Sequence, residues 1–279
     1  MAKSTRLAMI QFNVSKDKND NLQRMAAQIR KVVKESNPRI VALPECWQMP
    51  FHPRYAAEYS EPVPDGPTCQ LLSSLAKELN IYIAGGSIAE RDGTKCYNTA
   101  TVFAPSGKMI GKYRKIHLYM VDIKGDITFN ESEGFSTGSE FCFVDIDGKK
   151  VGIGICNDIR YDEFVRVFRN EGCDLIIFPF ALVISQGKAN FETVLRCRAL
   201  DNQMFVCGVS GARDENSVYV QWGHSMLVSP WGQIVKEAGE REETVVVDVD
   251  WSLVEQARSQ VLLFKQRRTD LYETINKTK

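Results

Sequence analysis

Histidine is scarce in this chain, with three among 279 residues, and none of the eight cysteines (46, 69, 96, 142, 156, 173, 197, 207) stands in a Cys-x-x-Cys pair. Zinc-type ligand spacing is therefore missing. Charge of one sign is missing too: Lys+Arg and Asp+Glu both number 35, so no global field draws the chain to nucleic acid, an anionic membrane or an acidic partner. No run of about 18 apolar residues occurs, as a membrane span requires, and Met1-Ala2-Lys3-Ser4-Thr5-Arg6 leads directly into a strand-like run. These absences predict a soluble, cytosolic protein with reduced thiols, whose partner is a small molecule. Seven of the cysteines are expected to be small core hydrophobes, because free Cys is among the most buried residue types.

Several catalytic signatures also fail. Gly152-Ile153-Gly154 lacks the third glycine of a dinucleotide-binding turn and lies in a strand-like run. No Walker-type Gly-Lys-Ser/Thr loop occurs, and Gly208-Val209-Ser210-Gly211 lacks a residue of the Gly-x-Ser-x-Gly elbow. No Gly/Ser-rich linker or low-complexity tract divides the chain, so residues 1–279 are read as one domain.

What is present is an α/β grammar, with 44% hydrophobic residues to fill its core. Leu7 to Phe12 reads as a strand, and Leu22, Met25, Ala26, Ile29, Val32 and Val33 recur at helical spacing behind a capping-box-like Asp20-x-x-Gln23. Ile40 to Leu43 is a buried-strand run, and a helix after Pro67 leads into Ile81 to Gly86. Tyr97 to Ala104 with Met109 to Tyr113, and Phe141 to Ile146 with Val151 to Cys156, read as hairpins around Pro105 to Lys108 and Asp147-Gly148. The second half repeats the alternation: a helix from about Tyr161 to Glu171, the run Leu175 to Pro179, a helix from about Ala189 to Asn202, then strands. Ile40 to Pro44 and Leu175 to Pro179 both end in proline, an echo that by itself is read as coincidence.

Three reactive residues end or adjoin such runs. Cys156 closes the strand-like Lys150 to Ile155 and precedes the polar Asn157-Asp158-Ile159-Arg160; Glu45 follows Ile40 to Pro44; Lys115 lies in Gly111 to His117. A thiolate is a strong nucleophile that needs a base or a positive field to form at neutral pH. Glu45 is a candidate base, and Lys115 a candidate source of the field that would also hold a developing oxyanion. Taken singly, each also has a structural or surface reading.

Together they carry a resemblance. Leu43-Pro44-Glu45, Tyr113-Arg114-Lys115-Ile116-His117-Leu118 and Gly152-Ile153-Gly154-Ile155-Cys156-Asn157-Asp158-Ile159-Arg160 resemble, in order, the three signatures of the nitrilase superfamily of carbon-nitrogen hydrolases. The resemblance spans about residues 5 to 273 and is strongest to the omega-amidase branch, through Phe129 to Ser132, Arg198 to Gln203, Trp222 to Ser225, Pro230 to Gly232 and Arg267 to Tyr272. It implies a four-layer αββα sandwich of two similar αββ halves, with Cys156 as nucleophile, Glu45 as general base, Lys115 as oxyanion partner and Glu131 as the family's second glutamate. It further implies oxyanion binding by the backbone N-H of Asn157, a thioester intermediate, no metal or organic cofactor, a small amide as substrate, and a homodimer or higher homo-oligomer.

The chain departs from the omega-amidase pattern at Asn157, where an aromatic residue is usual, at Tyr161-Asp162, and in Phe180 to Ser185. A Cys-Asn-Asp triplet is similar to the branch that hydrolyses N-carbamoyl amino acids, which stands as the alternative activity. His117 and His224 are read as hydrogen-bonding structural residues rather than as the base of a Cys-His protease. Arg160 is read as a brace for Glu163 or Asp158, with a substrate carboxylate as its other possible partner. Trp222 and Trp231 are read as core or subunit-interface residues, and a catalytically silent binding protein is disfavoured because all four reactive positions are intact.

Overall fold

Parallel strands covered on both faces read as unbroken apolar runs, and the runs found here do pair in parallel. The computed structural model describes residues 3–278. In chain order its elements are β1 (Ser4–Gln11), α1 (Lys18–Ser36), β2 (Ile40–Ala42), α2 (Ala56–Tyr59), α3 (Pro67–Leu79), β3 (Tyr82–Asp92), β4 (Lys95–Phe103), β5 (Met109–Arg114), β6 (Met120–Ile123) and β7 (Ile127–Asn130). There follow β8 (Cys142–Ile146), β9 (Lys149–Ile153), α4 (Asp162–Asn170), β10 (Leu175–Phe180), α5 (Ile184–Asn202), β11 (Phe205–Ser210), β12 (Met226–Val228), β13 (Ile234–Glu237), β14 (Glu243–Asp250) and α6 (Ser252–Gln260).

Two sheets run in the orders β14-β1-β2-β3-β4-β5 and β8-β9-β10-β11-β12-β13. In the first, β1, β2 and β3 are parallel, with β14 antiparallel on one side and the β4-β5 meander on the other. In the second, β9, β10 and β11 are parallel, with β8 antiparallel on one side and β12-β13 on the other. The two patterns are the same. Ile40 to Pro44 and Leu175 to Pro179 therefore occupy corresponding places, and the echo between them reflects repeated topology rather than coincidence.

Side-chain alternation along the strands builds the four layers. Leu7, Met9, Ile40 and Ala42 point into the core shared with Val151, Ile153 and Phe178 of the facing sheet. Ala8, Ile10, Val41 and Ile83 point the other way, against Met25 and Ile29 of α1 and Leu72 and Leu75 of α3. On the far side, Phe164 and Phe168 of α4 and Leu195 and Ala199 of α5 cover the second sheet. The arrangement is the αββα sandwich.

Local boundaries differ from the sequence reading in instructive ways. The cap of α1 is Asp17, whose carboxylate accepts from the N-H groups of Asn19 and Asp20; Asp20 instead bonds Ser15 and Arg24 within the first turn. Helix α5 begins at Ile184, five residues earlier than the periodicity predicts, because its first turns are held by packing against Trp222, which leaves no room for a Cβ at Gly187. Cys197 lies exposed on α5 and Cys96 is half-buried, so the reading of seven core cysteines holds only for Cys46, Cys69, Cys142, Cys173 and Cys207.

Candidate active site

Strand β9 stops pairing at Ile153, and Cys156 is not the last residue of the strand as the hydrophobic run suggests: it opens a tight 3-10 turn, Cys156–Arg160, with φ of +45°. A left-handed backbone at a residue with a Cβ costs about 1 kcal/mol, so something must hold it. Asp158, fully buried, does so. Its Oδ2 accepts from the Ile155 N-H at 2.9 Å and the Tyr113 hydroxyl at 2.7 Å; its Oδ1 accepts from the His117 N-H at 3.0 Å and lies 2.8 Å from His117 Nδ1. His117 also stacks on Tyr161 with ring centroids 3.8 Å apart. His224 pairs with Glu237 and stacks on Trp222, so both histidines are structural, as expected. Gly152 and Gly154 let the strand approach closely: a Cβ would meet the rings of Phe168 and Phe178 at 2.4 and 2.3 Å.

The other expected residues converge on this turn. Lys115 follows β5, whose register is pinned by Arg114: its guanidinium forks onto buried Glu90 at 2.9 and 2.6 Å and lies 3.9 Å from the Tyr97 ring centroid. Lys115 Nζ donates to Glu45 Oε1 at 2.8 Å and pairs with Glu131 Oε2 at 2.7 Å, and all three side chains are 0% exposed. The surface readings of Glu45 and Lys115 therefore do not apply. Glu131 opens a 3-10 turn after β7 and also accepts from the Tyr119 N-H at 2.8 Å.

Burial decides the protonation states. Glu45 is pushed up to about 7 by burial and by Glu131, against the pull of Lys115 and Asn98. Burial works against the Lys115 ammonium, but Glu131, Glu45 and the Cys156 sulfur outweigh it and hold its pKa well above the usual lysine range. Burial and Glu45 push the Cys156 thiol well above its ordinary range, and Lys115 offsets only part of this. The resting sulfur is thus a neutral thiol, not the field-stabilised thiolate that the basic neighbour suggests. Activation calls for a base that takes the proton as the sulfur attacks.

Cys156 borders a shallow recess whose polar lining is Tyr119, Asn157, Arg160, Gln186 and Asn190, and whose apolar wall includes Phe180, Leu182, Phe191 and Val194. The Asn157 amide donates to the carbonyls of His117 and Leu118, both at 3.3 Å, while its backbone N-H meets no acceptor among the described residues. Arg160 does not brace Glu163 or Asp158. Its side chain forms no ion pair among the described residues and Arg160 lines the recess, while Asp158 is already engaged by Tyr113, His117 and Ile155.

Asn98, Tyr119, Gln186 and Asn190 escape a reading by motif, and Asp158 lies within a signature without its role being read. A signal existed for Asn98: period-two alternation along β4 puts it on the same face as core residues Ala100 and Val102, a polar side chain on an apolar stripe. Gln186 and Asn190, joined at 3.1 Å, stand one helical turn apart on α5, a relation visible only once the helix start is known.

Comparison with known proteins places this geometry. The family model described as carbon-nitrogen hydrolase matches residues 6–259. The chain is 45% identical over 272 residues to omega-amidase NIT2-A of Xenopus laevis, covering 98% of each chain. It is 44% identical over 269 residues to omega-amidase NIT2 of Homo sapiens, covering 96% of this chain and 97% of that one. Among solved structures, Nit3 of Saccharomyces cerevisiae, a member of branch 10 of the nitrilase superfamily, superposes with a TM-score of 0.88 at 36% identity, covering 96% of this chain and 98% of that one.

Proposed function

The chain belongs to the carbon-nitrogen hydrolase family, and from that membership we propose that it hydrolyses the omega-amide of a short dicarboxylic or 2-oxo acid to the acid and ammonia. The observation that carries the reading is the buried Lys115 clamped between Glu45 and Glu131 beside a neutral Cys156 thiol. Likeness to proteins named omega-amidase along nearly the whole chain supports the substrate class. So does Arg160, which lines the recess beside Cys156, forms no ion pair among the described residues and is available to meet a distal carboxylate.

In the proposed cycle Glu45 takes the Cys156 proton while the sulfur attacks the amide carbonyl. The oxyanion is held by Lys115 Nζ and the Asn157 N-H. Glu45 returns its proton to the leaving nitrogen, ammonia departs and a thioester remains. Glu45 then takes a proton from water, whose oxygen attacks the thioester; the sulfur leaves and is reprotonated as the acid is released. Glu131 keeps Lys115 ionised and in place.

Ammonia release across succinamate, glutaramate, 2-oxoglutaramate, N-carbamoyl amino acids, nitriles and glutamine tests the proposal. Short omega-amides should give the highest kcat/KM. Faster turnover of N-carbamoyl amino acids, with carbon dioxide released, would replace the reading.

The proposal extends to the whole protein as one domain acting in the cytosol as a homodimer. Among the described residues no helix is long and apolar enough to cross a membrane, and the cysteines are free thiols. Leu262, Leu263, Leu271, Tyr272 and Ile275 near the C-terminus are all exposed large apolar side chains, which supports self-association. Light scattering at micromolar concentration should give twice the chain mass; a monomer with full activity would refute the pairing.

A further inference from the structure

Two buried carboxylates flank Lys115, and only one of them can be the base. Their hydrogen-bond partners differ. Glu45 Oε1 accepts twice, from Lys115 Nζ at 2.8 Å and from Asn98 Nδ2 at 2.7 Å, whereas Glu45 Oε2 is buried and has no partner among the described residues. Glu131 has both oxygens engaged: Oε1 accepts from Asn98 Nδ2 at 2.8 Å, and Oε2 meets Lys115 Nζ at 2.7 Å and the Tyr119 N-H at 2.8 Å.

Asn98 thus donates one amide hydrogen to each carboxylate, parallel to the bridge made by the ammonium. The reverse orientation of its amide would press Oδ1 against two anions, so the neighbours dictate which way it points. As placed, Oδ1 faces the Cys46 thiol at 3.7 Å. The strand register makes the arrangement rigid: Thr99 of β4 pairs with Arg114 of β5, and the Lys115 N-H donates to the Asn98 carbonyl at 2.9 Å. Asn98 is fully buried.

We propose that Asn98 is a positioning residue that divides the work between the two carboxylates. By occupying Glu45 Oε1 together with Lys115 it leaves Oε2 as the lone free basic oxygen of the pair, and by completing the hydrogen bonds of Glu131 it fixes that group in place. The proposal rests on the amidase reading for its meaning, but its central element, Glu45 as the base for the Cys156 thiol, can be observed without any amide.

The groups facing Glu45 are Lys115, Glu131, Cys46, Cys156 and Tyr219. The lysine, both thiols and the phenol are all held above their ordinary ranges, so a limb near neutral pH that Glu45→Gln abolishes and Glu131→Gln leaves in place reports Glu45. Asn98 donates to its ionised form, and losing that donor favours the protonated form, moving the limb to higher pH.

The experiment measures alkylation of the Cys156 peptide by iodoacetamide against pH, followed by mass spectrometry, beside the pH profile of kcat/KM. It compares wild type with Asn98→Leu, which keeps the branched outline of the amide but neither donor, and with the smaller Asn98→Ser, which keeps one hydroxyl donor should the bulkier leucine variant fail to fold. The expected result is a limb raised by about one unit in Asn98→Leu, less in Asn98→Ser, with plateau kcat down about tenfold or more. A limb unmoved in either folded variant would overturn the proposal and leave Asn98 a packing residue. A wild type that shows the alkylation limb but hydrolyses no amide would sink the amidase reading and not this one.

Discussion

The hydroxyl of Tyr113 donates to Asp158 Oδ2 at 2.7 Å, tying the strand that leads to Lys115 directly to the turn that carries Cys156. One buried bond thereby sets the nucleophile's turn against the oxyanion partner's strand. Because Asp158 accepts from Ile155, Tyr113 and His117 at once, the left-handed backbone at Cys156 is held from three directions.

Tyr113→Phe should therefore lower stability by about 1 to 3 kcal/mol, the loss expected when a bond to a buried charged acceptor is removed. It should also lower kcat, with KM little changed, because the turn loosens while the recess stays. Urea unfolding and ammonia release check both; an unchanged kcat in a destabilised protein would show that the bond serves the fold alone.

Cys156→Ala should abolish turnover with little change in stability, since alanine is as strained at φ of +45° as cysteine. Cys156→Gly should be equally inactive but more stable than the alanine variant by about 1 kcal/mol, because glycine adopts this backbone without a steric penalty. Thermal unfolding ranks the two variants. Mass spectrometry of the wild type under turnover should show a transient acyl adduct on the Cys156 peptide, and an active alanine variant would refute the mechanism.

Glu45 must be ionised to accept the thiol proton, and burial raises its pKa to about 7, so kcat/KM should rise with pH through about 7 and fall away below it. The sign follows from the role: an acid with a raised pKa is protonated, hence useless as a base, over a wider acidic range. Glu45→Gln should remove turnover at every pH. A profile flat from pH 5.5 to 8.5 would exclude Glu45 as the base.

Arg160→Ala should raise KM for an amide carrying a distal carboxylate by about ten- to a hundredfold, the effect of losing a charge-assisted pair. Turnover of a simple aliphatic amide of the same length should change little. Steady-state kinetics on succinamate beside butyramide separates the two; equal losses on both would mean that Arg160 acts on the turn and not on the carboxylate.

Much of this arrangement was legible in the chain, and the illegible part follows a physical pattern. Apolar runs such as Ile40 to Leu43 and Leu175 to Phe178 announced themselves because parallel strands buried on both faces need no polar alternation. Glu45 and Cys156 stood out because each follows such a run, and Lys115 because it lies in a short basic stretch, all three within ordered signatures. Asp158 and Asn98 did not, since their importance lies in partners 33 to 53 residues away in the chain. Arg160 was misread because a guanidinium with two nearby carboxylates in sequence is presumed paired, whereas Asp158 is taken by other donors and no ion pair to Glu163 forms.

By itself, then, the sequence determined which side chains are available and which segments must be buried, because local hydrophobic periodicity and backbone preferences act over a few residues. Tertiary structure alone decided that Cys156 rests as a thiol, that Glu45 rather than Glu131 keeps a free oxygen, and that Arg160 lines the recess. Desolvation and hydrogen-bond saturation depend on every neighbour that packing brings within a few ångströms, and no spacing along the chain encodes them.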